Sequence, residues 1–164
     1  ETQLESKALT DPLTQIYNRR GLEQKVMENM GKCNKGCFML IDIDDFKHVN
    51  DTYGHEWGDR VLTQIARIMA ERMRREGYAA RWGGEEFLLV FIDQGLQDAA
   101  ETLRKLQNEI RDTEFTYNEK EKIRVTMTFV ICESSGGNTD ELLRCADHRL
   151  YAGKKGGRDR IIQE

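Results

Sequence analysis

Apolar residues recur every four positions at Leu22, Val26 and Met30, which lays them along one helical face, and Gly31 closes the run. A helix is predicted there, preceded at Thr10-Asp11-Pro12 by helix-start chemistry, since Thr or Asp can cap and Pro is tolerated in a first turn. Residues 37–41 form a continuous apolar run of the kind found in a buried central strand, and it ends abruptly in Asp42-Ile43-Asp44-Asp45. Residues 46–51 read as a short helix, and residues 53–58, with Gly54 and Gly58, as a loop. From Asp59, at its head, Leu62, Ile65, Ala66, Met69 and Met73 mark a long amphipathic helix.

Two apolar runs between Tyr78 and Phe91 flank Gly83-Gly84, which predicts a β-hairpin closed by a two-residue primed turn. Ala99, Leu103, Leu106 and Ile110 mark a further helix, and residues 114–122 a charged, irregular return. Ile123, Val125, Met127, Phe129 and Ile131 then alternate with Arg124, Thr126 and Thr128, the period-two signature of a strand. A loop at 134–138 leads to a helix carrying Leu142, Leu143, Ala146 and Leu150, which ends in Lys154-Lys155-Gly156-Gly157-Arg158, and Ile161-Ile162 is expected as a last edge strand. A central hairpin with helix-connected strands around it implies an α+β fold, a mostly antiparallel sheet covered by helices.

The 164 residues suffice for one domain with a full core. A third of them are charged, yet the net charge is -4, so bulk electrostatics gives no reason to expect nucleic-acid or anionic-membrane binding. Cys33, Cys37, Cys132 and Cys145 make no paired Cys-x-x-Cys knuckles, so reduced thiols and a cytoplasmic setting are expected. Residues 1–9 read as the tail of a connecting helix from an upstream domain. His48, His55 and His148 are assigned to surface or capping positions, and Trp57 and Trp82 to packing.

Asp42 ends the buried strand and Glu85 opens the second hairpin strand. If these strands are neighbours, the two carboxylates converge, and oxygen ligands with open positions suit Mg²⁺ bound together with substrate phosphates. Two metals about 4 Å apart could activate one oxygen and stabilise a phosphoryl group under attack. Strand alternation sends Glu85 and Glu86 to opposite faces, with Glu86 expected to face away. Lys154 and Arg158, four apart at a helix end, would supply cations for a triphosphate.

Gly83-Gly84-Glu85-Glu86-Phe87 resembles the signature of the GGDEF family, the diguanylate cyclases, in its Glu-for-Asp variant. Residues 42–59, 9–20 and 146–158 are similar to the family's metal-and-guanine, N-terminal and C-terminal motifs, in family order. The resemblance makes residues 10–164 the GGDEF domain and implies a five-stranded, palm-like nucleotide cyclase fold. It also implies condensation of two GTP, one on each protomer of a homodimer, into cyclic di-GMP, under control of an upstream sensory domain. Asp42, Glu85 and the Ile43 carbonyl would hold two Mg²⁺ or Mn²⁺ per half-site. Glu85, or a metal-bound hydroxide beside it, would help to deprotonate the attacking hydroxyl, and Lys47 would stabilise developing charge. The amides around Asp45 and Phe46 would cradle phosphate, Lys154 and Arg158 would hold the terminal phosphates, and Asn50 and Asp59 would read guanine. The glycines of the signature would let GTP approach the turn without a Cβ in the way.

Three departures stand out. The family's product-inhibition motif, Arg-x-x-Asp, is here Arg74-Arg75-Glu76-Gly77, so Arg74 is present but Gly77 breaks the motif. Gln15 stands where glycine is common, and Val130 where the alternating strand usually has glycine.

Overall fold

The computed structural model describes residues 8–30, 36–92, 94–116, 118, 120–134, 151, 157–159 and 161–162. In chain order the elements are α1 (Arg19–Met30), β1 (Gly36–Ile43), α2 (Phe46–Tyr53), α3 (His55–Met73), β2 (Gly77–Arg81), β3 (Glu86–Ile92), α4 (Leu96–Asp112), β4 (Phe115–Thr116), β5 (Lys122–Ile123), β6 (Met127–Ser134) and β7 (Ile161–Ile162). Five strands form one sheet in the order β2-β3-β1-β6-β7. Pairing is antiparallel except between β6 and β7. This is the five-stranded, mostly antiparallel sheet expected from the sequence, and β1 lies at its centre because an unbroken apolar run can be buried on both faces.

Alternation along the strands divides the core into two layers. Met39, Ile41 and Ile43 join Phe87, Leu89, Met127 and Phe129 on the face that receives α3 and α4. Leu40, Leu88, Val90, Val130 and Cys132 line the other face, where Leu22 of α1 packs. Val130, at the position where the family has glycine, is fully buried in that layer opposite Leu40. Trp57 is buried in the first layer and Trp82 packs at the margin of the second, so both tryptophans serve packing. No helix among the described residues is long and apolar enough to cross a membrane.

Several boundaries differ from the sequence expectation. No helix begins at Thr10-Asp11-Pro12. Asp11 Oδ2 instead accepts from Thr14 N at 2.8 Å and Thr14 Oγ1 at 2.7 Å, closing a turn over residues 12–14. The helix begins at Arg19, where Asn18 Oδ1 accepts from Gly21 N at 2.8 Å. Between them Tyr17 bridges to Thr10 and, in parallel, to Ala80 of β2.

Of residues 53–58, Gly54 alone lies outside a helix, at φ 91°, and α3 starts at His55. Asp59 therefore lies inside the helix and not at its head. Gly58 is helical, and its lack of a side chain serves a close approach: a Cβ there would overlap Asn50 Oδ1 and come 3.2 Å from Phe46 Cζ.

The hairpin is not closed by a two-residue primed turn. Arg81 pairs with Phe87, and neither Gly83 nor Gly84 has positive φ. The longer connection is closed by Trp82 N and Gly83 N, which donate to Glu86 O at 2.8 and 3.2 Å. Residues 114–122 are not irregular throughout, since β4 and β5 pair antiparallel and Phe115 is buried. The predicted long strand breaks at 124–126, where Thr126 turns its carbonyl to Asp44 N at 2.9 Å. Ile161-Ile162 forms the expected edge strand. The expected helix around Leu142 to Leu150, together with Lys154 and His148, lies outside the described residues, as do residues 1–7.

Candidate functional site

Where β1 leaves the core, its apolar run gives way to Asp42, Asp44 and Asp45, and each takes a different environment. Asp42 follows Leu40 onto the second face of the sheet, where its cross-strand partners are Glu86 of β3 and Thr128 of β6. The residue is half-buried and its Oδ1 atom is enclosed. Asp44 is buried and accepts from Thr126 Oγ1 and Thr128 Oγ1, both at 2.6 Å, and from Asp159 N at 2.9 Å. A buried carboxylate is tolerated when donors replace its lost water, and here they do so.

Asp45 is exposed and left-handed at φ 54°, ψ 34°, and it stands at the N-cap of α2 without a side-chain capping bond. Its carboxylate reaches Arg158, with Nε–Oδ1 at 3.1 Å. Arg158 is also left-handed, at φ 59°. Two non-glycine residues in that region, each costing roughly 1–2 kcal/mol of backbone strain, thus meet in one ion pair. The amides at the head of α2 are left without a side-chain cap, which suits an anion. Lys47 is exposed on the first turn of the same helix.

Glu85 lies in the bend before β3, and its carbonyl accepts from Ile43 N at 3.3 Å, so the signature loop crosses the end of β1. Directly opposite Asp42, however, stands Glu86. Opposed residues in an antiparallel pair share a face, so Glu86 does not face away as the alternation argument expected. Alternation does not govern this pair, because Glu86 lies in the strand and Glu85 in the bend before it. Glu86 Oε1 lies back toward Gly83, 2.8 Å from where a Cβ would be, while nothing lies within 4 Å of a Cβ at Gly84.

The Asn50 carboxamide on α2 rests against Gly58, the residue that precedes Asp59 on α3. Asp59 is exposed and lines a cavity of about 390 Å³ with Leu13, Arg60, Thr63, Gln64 and Arg67. Among the described residues no group of three or more His, Cys, Asp or Glu could hold a metal by itself. Two carboxylates and a main-chain carbonyl are hard oxygen donors that leave positions for water or phosphate, and such a donor set fits Mg²⁺ or Mn²⁺. Asp42, Glu85 and the carbonyl of Ile43 would be the holders.

The loop is braced from the N-terminal segment. Arg81 Nε and Nη2 donate to Gly84 O at 3.2 and 2.8 Å, and Nη1 reaches both Asp11 oxygens at 3.3 Å. Arg19 lies 4.2 Å above the Trp82 ring and donates to Trp82 O at 3.3 Å. Burial alone would raise the pKa of Asp11, but the Thr14 hydroxyl and amide and the Arg81 charge outweigh it and hold it below the usual carboxylate value. Arg74, of the broken inhibition motif, is exposed and lies 3.7 Å from Glu71. A Cβ at Gly77 would overlap the Val90 carbonyl oxygen.

Sequence reasoning missed Asp44, Thr128, Arg81 and Asp159 as parts of this site. A signal existed for two of them: Asp44 stands two residues after Asp42 and Thr128 two after Thr126, the spacing at which an extended chain returns to one face. Arg81 and Asp159 are tied in by contacts spanning 70 and 48 to 115 residues, which no local pattern reports.

The family model described as "Diguanylate cyclase, GGDEF domain" matches residues 8–160. The response regulator PleD of Caulobacter vibrioides is 34% identical over 162 residues, which cover 94% of this chain and 36% of that relative. An uncharacterized Bacillus subtilis protein, YtrP, is 34% identical over 165 residues, 97% of this chain and 27% of its own length, so the chain spans a minor part of these relatives. Among solved structures, the GGDEF domain of DgcB from Caulobacter crescentus, in complex with c-di-GMP, is 32% identical with a TM-score of 0.85, covering 96% of both chains.

Proposed function

The chain belongs to the GGDEF family of diguanylate cyclases, and from that premise we propose that it is an active cyclase domain joining two GTP molecules into cyclic di-GMP with release of two pyrophosphates. The observation that carries this reading is the assembly at one end of the sheet. Arg158 pairs with Asp45 at 3.1 Å, Glu85 crosses the end of β1 through a 3.3 Å bond to Ile43, and the head of α2 lacks a side-chain cap. Cation, carboxylates and free amides are what a nucleoside triphosphate needs.

In this reading Arg158, Lys154 and the amides of Asp45 and Phe46 grip the phosphates, while Asn50 and Asp59 read guanine. Asp59 accepts from the N1–H and N2–H edge, which adenine lacks, so ATP is rejected because it leaves the carboxylate unpaired. The open space at Gly84 admits the nucleotide. Magnesium or manganese held by Asp42, Glu85 and Ile43 O would supply positive charge at the reacting phosphate and lower the pKa of the attacking hydroxyl. Glu85 takes the proton from the 3′-hydroxyl as its oxygen bonds to the α-phosphorus and pyrophosphate departs, with Lys47 countering the charge that develops. One protomer presents one GTP, so ring closure needs a second copy, and an upstream domain would govern that meeting.

The test is to incubate artificially dimerised chain with Mg²⁺ and GTP, ATP or both, and to identify the products. Cyclic di-GMP from GTP alone is expected, and Glu85→Gln should abolish it with an unchanged melting temperature. No dinucleotide from the dimerised chain, or adenine-containing products, would overturn the reading. Full activity of Glu85→Gln would remove Glu85 from its assigned role.

A further inference from the structure

Asp159 lies between the acidic end of β1 and the last turn of α4 and bonds to both. Its main-chain N–H donates to Asp44 Oδ2 at 2.9 Å. Its carboxylate receives Arg111 as a fork, Nε to Oδ2 and Nη2 to Oδ1, each at 3.0 Å, with Gln107 Nε2 at 3.3 Å beside them. The hydrogen bond to Asp159 also raises the Arg111 pKa. Residues 157–159 all have positive φ, at 133°, 59° and 40°. Glycine adopts such angles freely, whereas Arg158 and Asp159 do so only when surrounding contacts impose them.

Those contacts come from two sides: Asp44 holds the backbone and Arg111 holds the side chain. Between them they hold the turn from which Arg158 reaches Asp45 at the head of α2. We propose that Arg111, acting through Asp159, is a positioning residue for Arg158, clasping the 157–159 turn in the strained form that presents the guanidinium to a substrate phosphate. The inference rests on the reading of Arg158 as a phosphate-binding group. Arg111 makes no contact with substrate in this reading; it holds in place the residue that would.

Binding of inorganic tripolyphosphate, and of GTP, to the full chain with Mg²⁺ tests the clasp by calorimetry in wild type, Arg111→Ala, Arg111→Lys, Arg158→Ala and the double alanine variant. Arg111→Ala should weaken tripolyphosphate about tenfold, within the range of couplings between neighbouring residues. Arg111→Lys should recover part of the loss, and in turnover KM for GTP should rise while kcat stays nearly constant. The double variant should bind no more weakly than Arg158→Ala alone. Arg111→Ala binding within about twofold of wild type while Arg158→Ala binds poorly, or additive losses in the double variant, would overturn the clasp. If wild type itself binds neither tripolyphosphate nor GTP, the functional reading fails, and the clasp's role fails with it. A merely structural pair would lower the melting temperature of Arg111→Ala without this pattern.

Discussion

Gln15 has φ 64° in the turn between Thr10 and Tyr17, and its amide donates to Asp11 O at 2.8 Å. The backbone explains why glycine suits this position, since a left-handed residue with a Cβ is strained. Gln15→Gly should therefore stabilise the chain by about 0.5–1 kcal/mol, read as a higher urea midpoint with unchanged slope. Gly77 presents the opposite case. Because a Cβ would meet the Val90 carbonyl, Gly77→Asp should cost about 1–3 kcal/mol rather than simply repair the inhibition motif. Product titration of that variant should show no tight inhibition. Asp11 carries a pH signature. Its folded pKa is depressed, so its contribution is fully present above the unfolded value near 3.9 and is lost as pH falls through the lower folded value. Asp11→Asn should cost about 1–2 kcal/mol at pH 7, and the gap to wild type should narrow as pH falls below the unfolded carboxylate value in acid-titrated melts.

At the scale of elements, what could be read in the sequence depended on how local its cause was. β1 was legible because a doubly buried strand must be apolar throughout, and α3 and α4 because their stripes repeat over several turns. The start of α3 was not, because glycine is punctuation at Gly54 and a packing requirement at Gly58, and the same letter carries both meanings. The hairpin is legible in its two apolar runs, but its connection is not, since Arg81 braces the loop with bonds to Gly84 O and a long-range anchor on Asp11. The candidate site divides likewise. Asp42, Asp45, Glu85 and Arg158 could be named because they stand at element ends within motifs. The buried Asp44 and the Arg111–Asp159 fork could not, because their partners come from distant segments.

For the whole molecule, the half-site reading has a kinetic consequence. If two copies must meet, specific activity of the undimerised chain should rise roughly in proportion to protein concentration while dimers are scarce, and level off once they predominate. Activity per mole independent of concentration across the monomeric range, checked by light scattering, would remove the second copy from the reaction. The sheet also bears on how copies can meet. One margin is the two-residue β7, and at the other margin, β2, Tyr17 bridges to Ala80 while its carbonyl accepts from Arg81 N at 2.9 Å. A long bare margin would invite copies to zip together strand against strand into open-ended stacks. At the β2 margin Tyr17 takes up part of the strand's bonding edge, which discourages that route there.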